Sequence, residues 1–250
     1  MTRRAWLFPA IGGLVYLAAL IATAPAPWVS RSVERLSRQA LLLREPAGTA
    51  WSGSGRLYAR QRTGELVDLG LLRWNTLPSG ILTGKLAAEV SLGESATAMQ
   101  LELSPLSTTI RALNLELPGR LISIVAPGLE ALGPQGKVLL RSDNLRFETD
   151  SILGLADLEW RPVQLERARG LTLGSHVAHL RGGGSKVDIE LGTLDGPMRL
   201  SGSGNWNRET GLDIAGALEH GEDRLGETTS FLQGVCSEYR AGRCAFRFKR

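Results

Sequence analysis

The feature that most constrains the fold is a recurring alternation of apolar and polar residues with a period of two. It is clear at Leu113, Leu115 and Leu117, which alternate with Asn114 and Glu116. Further stretches show the same alternation at residues 82–92, 186–191, 212–218 and 243–249. Such alternation indicates strands with one buried and one wet face. Turn sequences rich in Gly and Pro separate these stretches, so we predict a mainly β fold, a curved and mostly antiparallel β-meander with one or two short helices.

The N-terminal stretch has a different character, because residues 5–30 contain no Asp, Glu, Lys or Arg. A helix needs about 20 apolar residues to cross a bilayer. We therefore predict a single transmembrane anchor at residues 5–27, preceded by a cytoplasmic end at residues 1–4. The alternative is a cleaved signal peptide, which the triplet Ala22-Thr23-Ala24 favours. The apolar run is longer than the usual core of a signal peptide, and Pro25 would follow the cut, so a retained anchor is the preferred interpretation.

Apolar residues recur at helical spacing directly after the anchor. They are Val29, Val33, Leu36, Ala40 and Leu43. This spacing predicts an amphipathic helix at residues 28–45, with several Arg on its polar side. Such a helix can lie on the membrane surface or pack on the following domain, and the sequence leaves both positions open.

The net charge of +4 is concentrated near the N-terminus. Residues 1–45 contain six Arg and two Glu, whereas the remaining residues contain 23 basic and 23 acidic side chains. A nucleic-acid-binding domain needs a basic face on its folded part. We therefore expect no nucleic acid partner, and we expect membrane lipid to contact the basic N-terminal unit.

The chain has two cysteines, Cys236 and Cys244. Their close spacing suits a hairpin closed by a disulfide, which forms in an oxidising compartment. The alternative is a pair of free thiols in a cytosolic domain. The sequence contains no C-x-x-C motif or matching His spacing that would indicate zinc. Together with the anchor, the cysteines predict that residues 46–250 form a β-rich domain in the bacterial periplasm.

A short internal echo suggests that this domain has two related halves. Gly55 precedes Trp74 by 19 residues, and Gly136 precedes Trp160 by 24. We predict halves at about residues 48–117 and 136–218. The two short helices are predicted at residues 119–132, between the halves, and at residues 222–235.

Few residues suggest chemistry. His176 and His179 lie on opposite faces if they share a strand, which excludes a shared metal. The Gly-Ser-Gly triplets at residues 53–55 and 202–204 lead into strands and lack the following helix that a phosphate loop requires. Close packing of a strand against Trp explains them better. We therefore expect no cofactor, no metal site and no catalytic residue.

One block of sequence is recognisable. It consists of Gly48-Thr49-Ala50-Trp51-Ser52-Gly53-Ser54-Gly55, then Leu71-Leu72-Arg73-Trp74-Asn75-Thr76-Leu77-Pro78, then Ile81-Leu82-Thr83-Gly84-Lys85-Leu86. It resembles the type II secretion system protein N (general secretion pathway protein N) family, with its pattern G-T-x-W-x-G, L-x-W-x-L-x-P and L-L-x-G-x-L. The chain departs from that pattern in the spacing around Leu77, and the cysteine pair has no counterpart in it. The resemblance assigns a structural role to Gly48, Trp51, Gly53, Gly55, Trp74, Pro78 and Gly84.

The resemblance implies a non-catalytic accessory or scaffold protein of the bacterial inner membrane, which helps to export folded proteins across the outer membrane. Its implied architecture is a short cytoplasmic end, a single anchor and a β-rich periplasmic body. Its implied partners are other type II secretion components in the inner membrane and periplasm. The β-meander is also similar to AsmA-like and lipopolysaccharide-transport proteins, whose curved sheets shelter acyl chains. The alternative function is therefore a periplasmic lipid-handling bridge.

Overall fold

Among the described residues of this computed structural model, fourteen strands form one sheet. The described residues are 12, 13, 16, 19–61, 63–77, 84–93, 98–125, 133–166, 173–220, 236, 238–240 and 243–249. The strands are β1 (Leu41–Gly48), β2 (Ser52–Arg60), β3 (Leu66–Leu77), β4 (Leu86–Leu92), β5 (Met99–Leu103), β6 (Ser107–Pro118), β7 (Pro134–Glu148), β8 (Ile152–Leu165), β9 (Ser175–Gly184), β10 (Lys186–Asp195), β11 (Met198–Asn207), β12 (Gly211–His220), β13 (Glu238–Arg240) and β14 (Arg243–Lys249). Helix α1 spans Pro27–Leu36, and a 3-10 turn at Gly119–Leu121 leads into α2 at Ile122–Val125.

The sheet is an antiparallel meander. Strands β1 to β12 follow one another in chain order, and β14 then pairs between β12 and β13. The prediction of a mainly β, antiparallel fold with few short helices is therefore confirmed. Because successive strands reverse direction, all connections after odd-numbered strands up to β11 lie at one end, here called the upper end. It includes the β1–β2 turn at residues 49–51 and the β5–β6 turn at residues 104–106. The opposite end is the lower end.

The two faces of the sheet differ in polarity. Directly opposed residues in an antiparallel pair point to the same face, and Trp74 opposes Gly53 and Val90. We call the face that carries Trp74 the apolar face. Successive even-numbered strands contribute Leu57, Val90, Leu115, Leu158, Ile189 and Ile214 to it.

The apolar face is continuous across the middle of the sheet. Leu117 packs against the buried cluster that contains Trp74. Leu117 also opposes Val138, which in turn opposes Trp160 of β8. The two tryptophans therefore share one face although they lie five strands apart in the sheet order.

A local irregularity maintains this continuity. Arg111 and Ala112 of β6 are both exposed, and Ala112 has a φ of 53°. The nearby Asp143 and Asn144 of β7 are exposed as well. Two consecutive outward residues change the phase of the alternation and return the buried Leu113 to the apolar face.

The sheet is curved. Gln61, after β2, donates from Nε2 to the carbonyl oxygen of Arg120, after β6, at 3.3 Å. At the upper end, Arg208 Nη1 donates to the carbonyl oxygen of Thr149 at 2.6 Å. In each case three strand spacings intervene, and in a flat sheet these would separate the elements by about 14 Å. The buried clusters lie on the apolar face, so the sheet bends toward that face.

Helix α1 differs from its prediction. The predicted helix at residues 28–45 is wrong beyond Leu36, because Arg38 and Gln39 adopt φ values of 51° and 66° and β1 begins at Leu41. Leu43 opposes Leu57 and is only 2% exposed. Leu43 fits the helical spacing, but it also alternates with Leu41 as residues of a strand do. Pairing with β2 selects the strand.

The remaining helix packs on the sheet. Val29 and Val33 contact the cluster that contains Leu43 and Trp74. Ser30 Oγ donates to the carbonyl oxygen of Leu43 at 2.8 Å. Of the two positions left open by the sequence, the structure places α1 against the domain.

The chain enters the sheet through a short extended segment rather than a continuous helix. Residues 19–22 are helical, and Pro25 then forms an antiparallel bridge with Thr49. Ala24 accepts from the N–H of Ala50 at 2.8 Å, and Ala26 is fully buried. Within the described part of the chain, none of the helices has both the length and the apolar character that a bilayer crossing requires.

The stretch between the predicted halves closes the lower end. Gly119–Leu121 and Ile122–Val125 are helical, as predicted within residues 119–132. Strands β6 and β7 pair directly across this connection, so the two halves belong to one sheet. The second predicted helix, at residues 222–235, lies outside the described residues.

Candidate functional site

The recognisable motif forms a packed unit around Trp74. Its ring lies over Gly53, where an added Cβ would come within 2.5 Å of Trp74 Cζ2. Trp74 Nε1 donates to the carbonyl oxygen of Thr49 at 3.1 Å. A buried Trp needs such a partner for its N–H. The indole therefore fixes the β1–β2 turn to β3, and only glycine fits at residue 53.

The other motif glycines have different surroundings. Gly48 has a φ of 92°, and a Cβ there would lie 2.5 Å from the carbonyl oxygen of Ser52. A Cβ at Gly55 would lie 2.9 Å from Leu43 Cδ1. Gly84, with a φ of 72°, lies in open space before β4. Pro78 is outside the described residues.

Trp51 contacts the N-terminal segment instead of the core. Its Nε1 donates to the carbonyl oxygen of Ile21 at 2.7 Å. Trp51 also lines an open, apolar cavity of about 390 Å³ with Gly84, Leu86 and Leu103. The motif thus has two parts, one that holds the sheet around Trp74 and one that fixes the end of the N-terminal helix.

Trp160 repeats the hydrogen bond of Trp74. It donates from Nε1 to the carbonyl oxygen of Gln135 at 2.7 Å, and both bonds join residues 25 apart in sequence. Trp74 lies toward the upper end and Trp160 toward the lower end, because β3 and β8 run in opposite directions. The relation between the two halves stays a prediction.

The apolar face is a candidate binding surface. In its central upper part, Met99, Leu101, Leu145, Phe147 and Ile152 are only half-buried. The two buried clusters lie to either side, one around Trp74 and one around Cys244. The curved sheet therefore presents an apolar trough. Its two sides are buried in the clusters, and the side chains in its middle are partly exposed.

The opposite face is polar and carries many ion pairs. Lys85 Nζ lies 2.9 Å from Glu102, and Arg247 contacts Asp213 at 3.1 and 2.8 Å. The hydrogen bond from Lys85 lowers the pKa of Glu102, and the bond from Arg247 lowers the pKa of Asp213. These carboxylates are therefore ionised at neutral pH, and they keep this face hydrated.

The two histidines of β9 lie on opposite faces of the sheet, as expected for residues three apart on one strand. His176 is buried on the apolar face, between Trp160 and Thr193. Burial lowers the pKa of His176, so its ring is neutral. His179 is exposed on the polar face, where its Nδ1 lies 2.6 Å from Asp157 Oδ1.

The two cysteines close the far edge of the sheet. Their sulfur atoms are bonded at 2.00 Å, and their Cα atoms are 5.3 Å apart. Cys244 is fully buried and packs with Val163, Leu165, Leu173 and Met198. The disulfide therefore belongs to the hydrophobic cluster at the lower end.

A family model described as type II secretion system (T2SS), protein N matches residues 39–247. The chain belongs to the type II secretion system protein N family. The match begins just before β1 and ends within β14, so it covers the sheet. No curated protein and no solved structure matches the chain.

The resemblance predicted from the Trp51–Trp74 block is thus confirmed. Membership of the protein N family links the chain to type II secretion, to protein transport and to the other components of that system. The family is a secretion accessory family and is not known as enzymatic.

Sequence reasoning missed two features of this protein N family member. One is the continuity of the apolar face, which was hidden because the phase of alternation changes at Ala112. The other is the contact between Trp51 and Ile21. Trp51 and Ile21 are 30 residues apart, and no periodicity or motif in the sequence indicates that they are in contact.

Proposed function

We propose that the protein is a non-catalytic accessory or scaffold of the type II secretion system in the bacterial inner membrane, and that it helps export of folded proteins across the outer membrane. The observation that carries the proposal is the family match, which spans the sheet. The partners in this proposal are other secretion components in the inner membrane and periplasm.

The proposed topology is a single pass through the inner membrane within the predicted segment at residues 5–27, ending before the bridge between Pro25 and Thr49, with the sheet in the periplasm. Three observations support it. The N-terminal segment lacks charged residues over residues 5–30. The chain emerges from that segment directly onto the sheet, through the bridge between Pro25 and Thr49. The bond between Cys236 and Cys244 suits an oxidising compartment.

Deletion of the gene is expected to reduce secretion of folded substrates, and the plasmid-borne gene should restore it. Affinity purification of the full-length protein from membranes is expected to recover secretion components, whereas an unrelated single-pass inner-membrane protein should not. Intact secretion after deletion, with no secretion component recovered, would overturn the proposal.

A second candidate function, lipid handling, is favoured by the apolar trough. The polar residues that alternate with apolar residues along the strands lie mainly on the opposite face. They therefore do not interrupt the apolar surface. Leu140 and Leu139 are adjacent on β7 and belong to opposite faces, since Leu140 opposes Leu158 and Leu139 opposes Glu159.

This pair gives a matched test of lipid handling. A photo-crosslinking amino acid at residue 140 of the full-length protein is expected to capture phospholipid or lipopolysaccharide in cells. The same group at residue 139 is expected to capture much less. Equal lipid capture at both positions, or none at residue 140, would contradict an acyl chain in the trough.

A further inference from the structure

We propose that the β5–β6 turn at the upper end rests in the bilayer surface, as a second membrane contact beside the N-terminal segment. The occupant of this surface is the boundary between lipid headgroups and acyl chains. The inference rests on the proposed membrane anchor and adds to it a defined orientation of the sheet.

The turn exposes apolar side chains without charge. Leu106 is 79% exposed, and Leu103 at the end of β5 is also exposed. Between them lie Ser104 and Pro105, so the stretch from residue 103 to residue 107 contains no ionisable side chain. Burial of such an exposed leucine at the boundary between headgroups and acyl chains is favourable.

The turn is held in a fixed conformation. The N–H of Ser107 donates to Ser104 Oγ at 3.1 Å. The N–H of Ser104 donates to the carbonyl oxygen of Ser107 at 2.8 Å. Leu106 is therefore presented outward by an ordered turn, and no ordering of the backbone is needed when it meets lipid.

The position of the turn identifies lipid as its occupant. Trp51 joins the turn to the N-terminal helix, since it donates to Ile21 and lines one cavity with Leu103 and Pro105. Leu20 and Ile21 of that helix are themselves about half exposed. Where the charge-free segment ends, an apolar surface thus continues through Trp51 onto the turn. Trp is enriched at this depth of a membrane because its ring is apolar and its N–H is polar.

Lys85 sits where a headgroup contact would be expected. It lines the same cavity as Trp51 and pairs with Glu102 on the polar face. Lys85 thus places a cation beside the apolar surface that Trp51 and the turn form, where phosphate groups of lipids could contact it. The turn itself carries no charged side chain that could form an ion pair with a protein partner, which favours lipid as the occupant.

The test uses a fluorescent label on the full-length protein. Its two cysteines are bonded to each other, so Leu106→Cys supplies one reactive thiol. The matched control is Leu155→Cys, because Leu155 is also well exposed, at 62%, but lies on the polar face of β8. Each variant is labelled with an environment-sensitive dye and reconstituted into vesicles of phosphatidylethanolamine and phosphatidylglycerol.

The dye at residue 106 is expected to emit at shorter wavelength, to be quenched by spin-labelled lipid and to be shielded from aqueous iodide. The dye at residue 155 is expected to show the opposite pattern. If the protein floats with the vesicles and residue 106 behaves like residue 155, the turn does not contact lipid and only this inference fails. If the protein does not float, the anchor and this inference both fail.

Discussion

Replacing Trp74 with alanine is expected to lower the free energy of unfolding by about 3–5 kcal/mol, the usual cost of removing a buried Trp. Trp74 is only 7% exposed and packs with Leu43, Leu57 and Leu92. The truncation would also leave the carbonyl oxygen of Thr49 without its indole donor. In a protein of this size the loss corresponds to a fall in melting temperature of about 6–20 °C.

Thermal unfolding of the full-length protein in detergent checks this expectation. Trp206→Ala is the matched control, because Trp206 lies on the same face of β11 but is only half-buried. Its loss should be clearly smaller. Trp74→Phe should fall between the two, since it keeps an aromatic ring and removes the bond to Thr49. Equal losses for Trp74→Ala and Trp206→Ala would show that the motif does not organise the sheet.

Removing the disulfide with the double substitution Cys236→Ala and Cys244→Ala is expected to lower the free energy of unfolding by about 2–3 kcal/mol. That value is the chain-entropy estimate for a loop of this length. The cross-link joins residues 8 apart and ties the end of the sheet to its hydrophobic cluster. Loss of the Cys244 side chain adds a small cavity beside Met198.

The measurement is the melting temperature with and without dithiothreitol. Wild-type protein should be destabilised by the reductant, whereas the double variant should be insensitive to it. Ala245→Ser, on the polar face next to Cys244, should melt like the wild type and respond to reductant in the same way. A wild-type protein that melts at the same temperature in both conditions would contradict the stabilising role.

The strands were predictable because the alternation of apolar and polar residues indicates which side of each strand is exposed to water. The alternation at Leu113, Leu115 and Leu117 requires one buried face, whatever the partner strand. The Trp51–Trp74 block was likewise visible in the sequence, since its glycines and tryptophans are spaced by the geometry of one hairpin. The family followed from that block.

The helix at residues 28–45 was only partly predictable. Leu43 fits both the helical spacing and an alternation with Leu41, and local spacing cannot choose between the two patterns. The choice was made by Leu57 and Ala59, which oppose these two leucines in β2. Long-range pairing of this kind overrides local propensity, because burial against a partner contributes more than the preference of a short segment.

The sequence by itself determined that the chain is β-rich, that its charge is concentrated near the N-terminus, and to which family it belongs. Only the tertiary structure decided that the apolar sides of successive strands join into one curved face. It also decided that Trp51 donates to Ile21 and shares a cavity with Leu103 and Pro105 of the β5–β6 turn. The reason is physical. Alternation fixes the two sides of one strand, whereas the register between strands and the bend of the sheet depend on contacts between residues far apart in sequence.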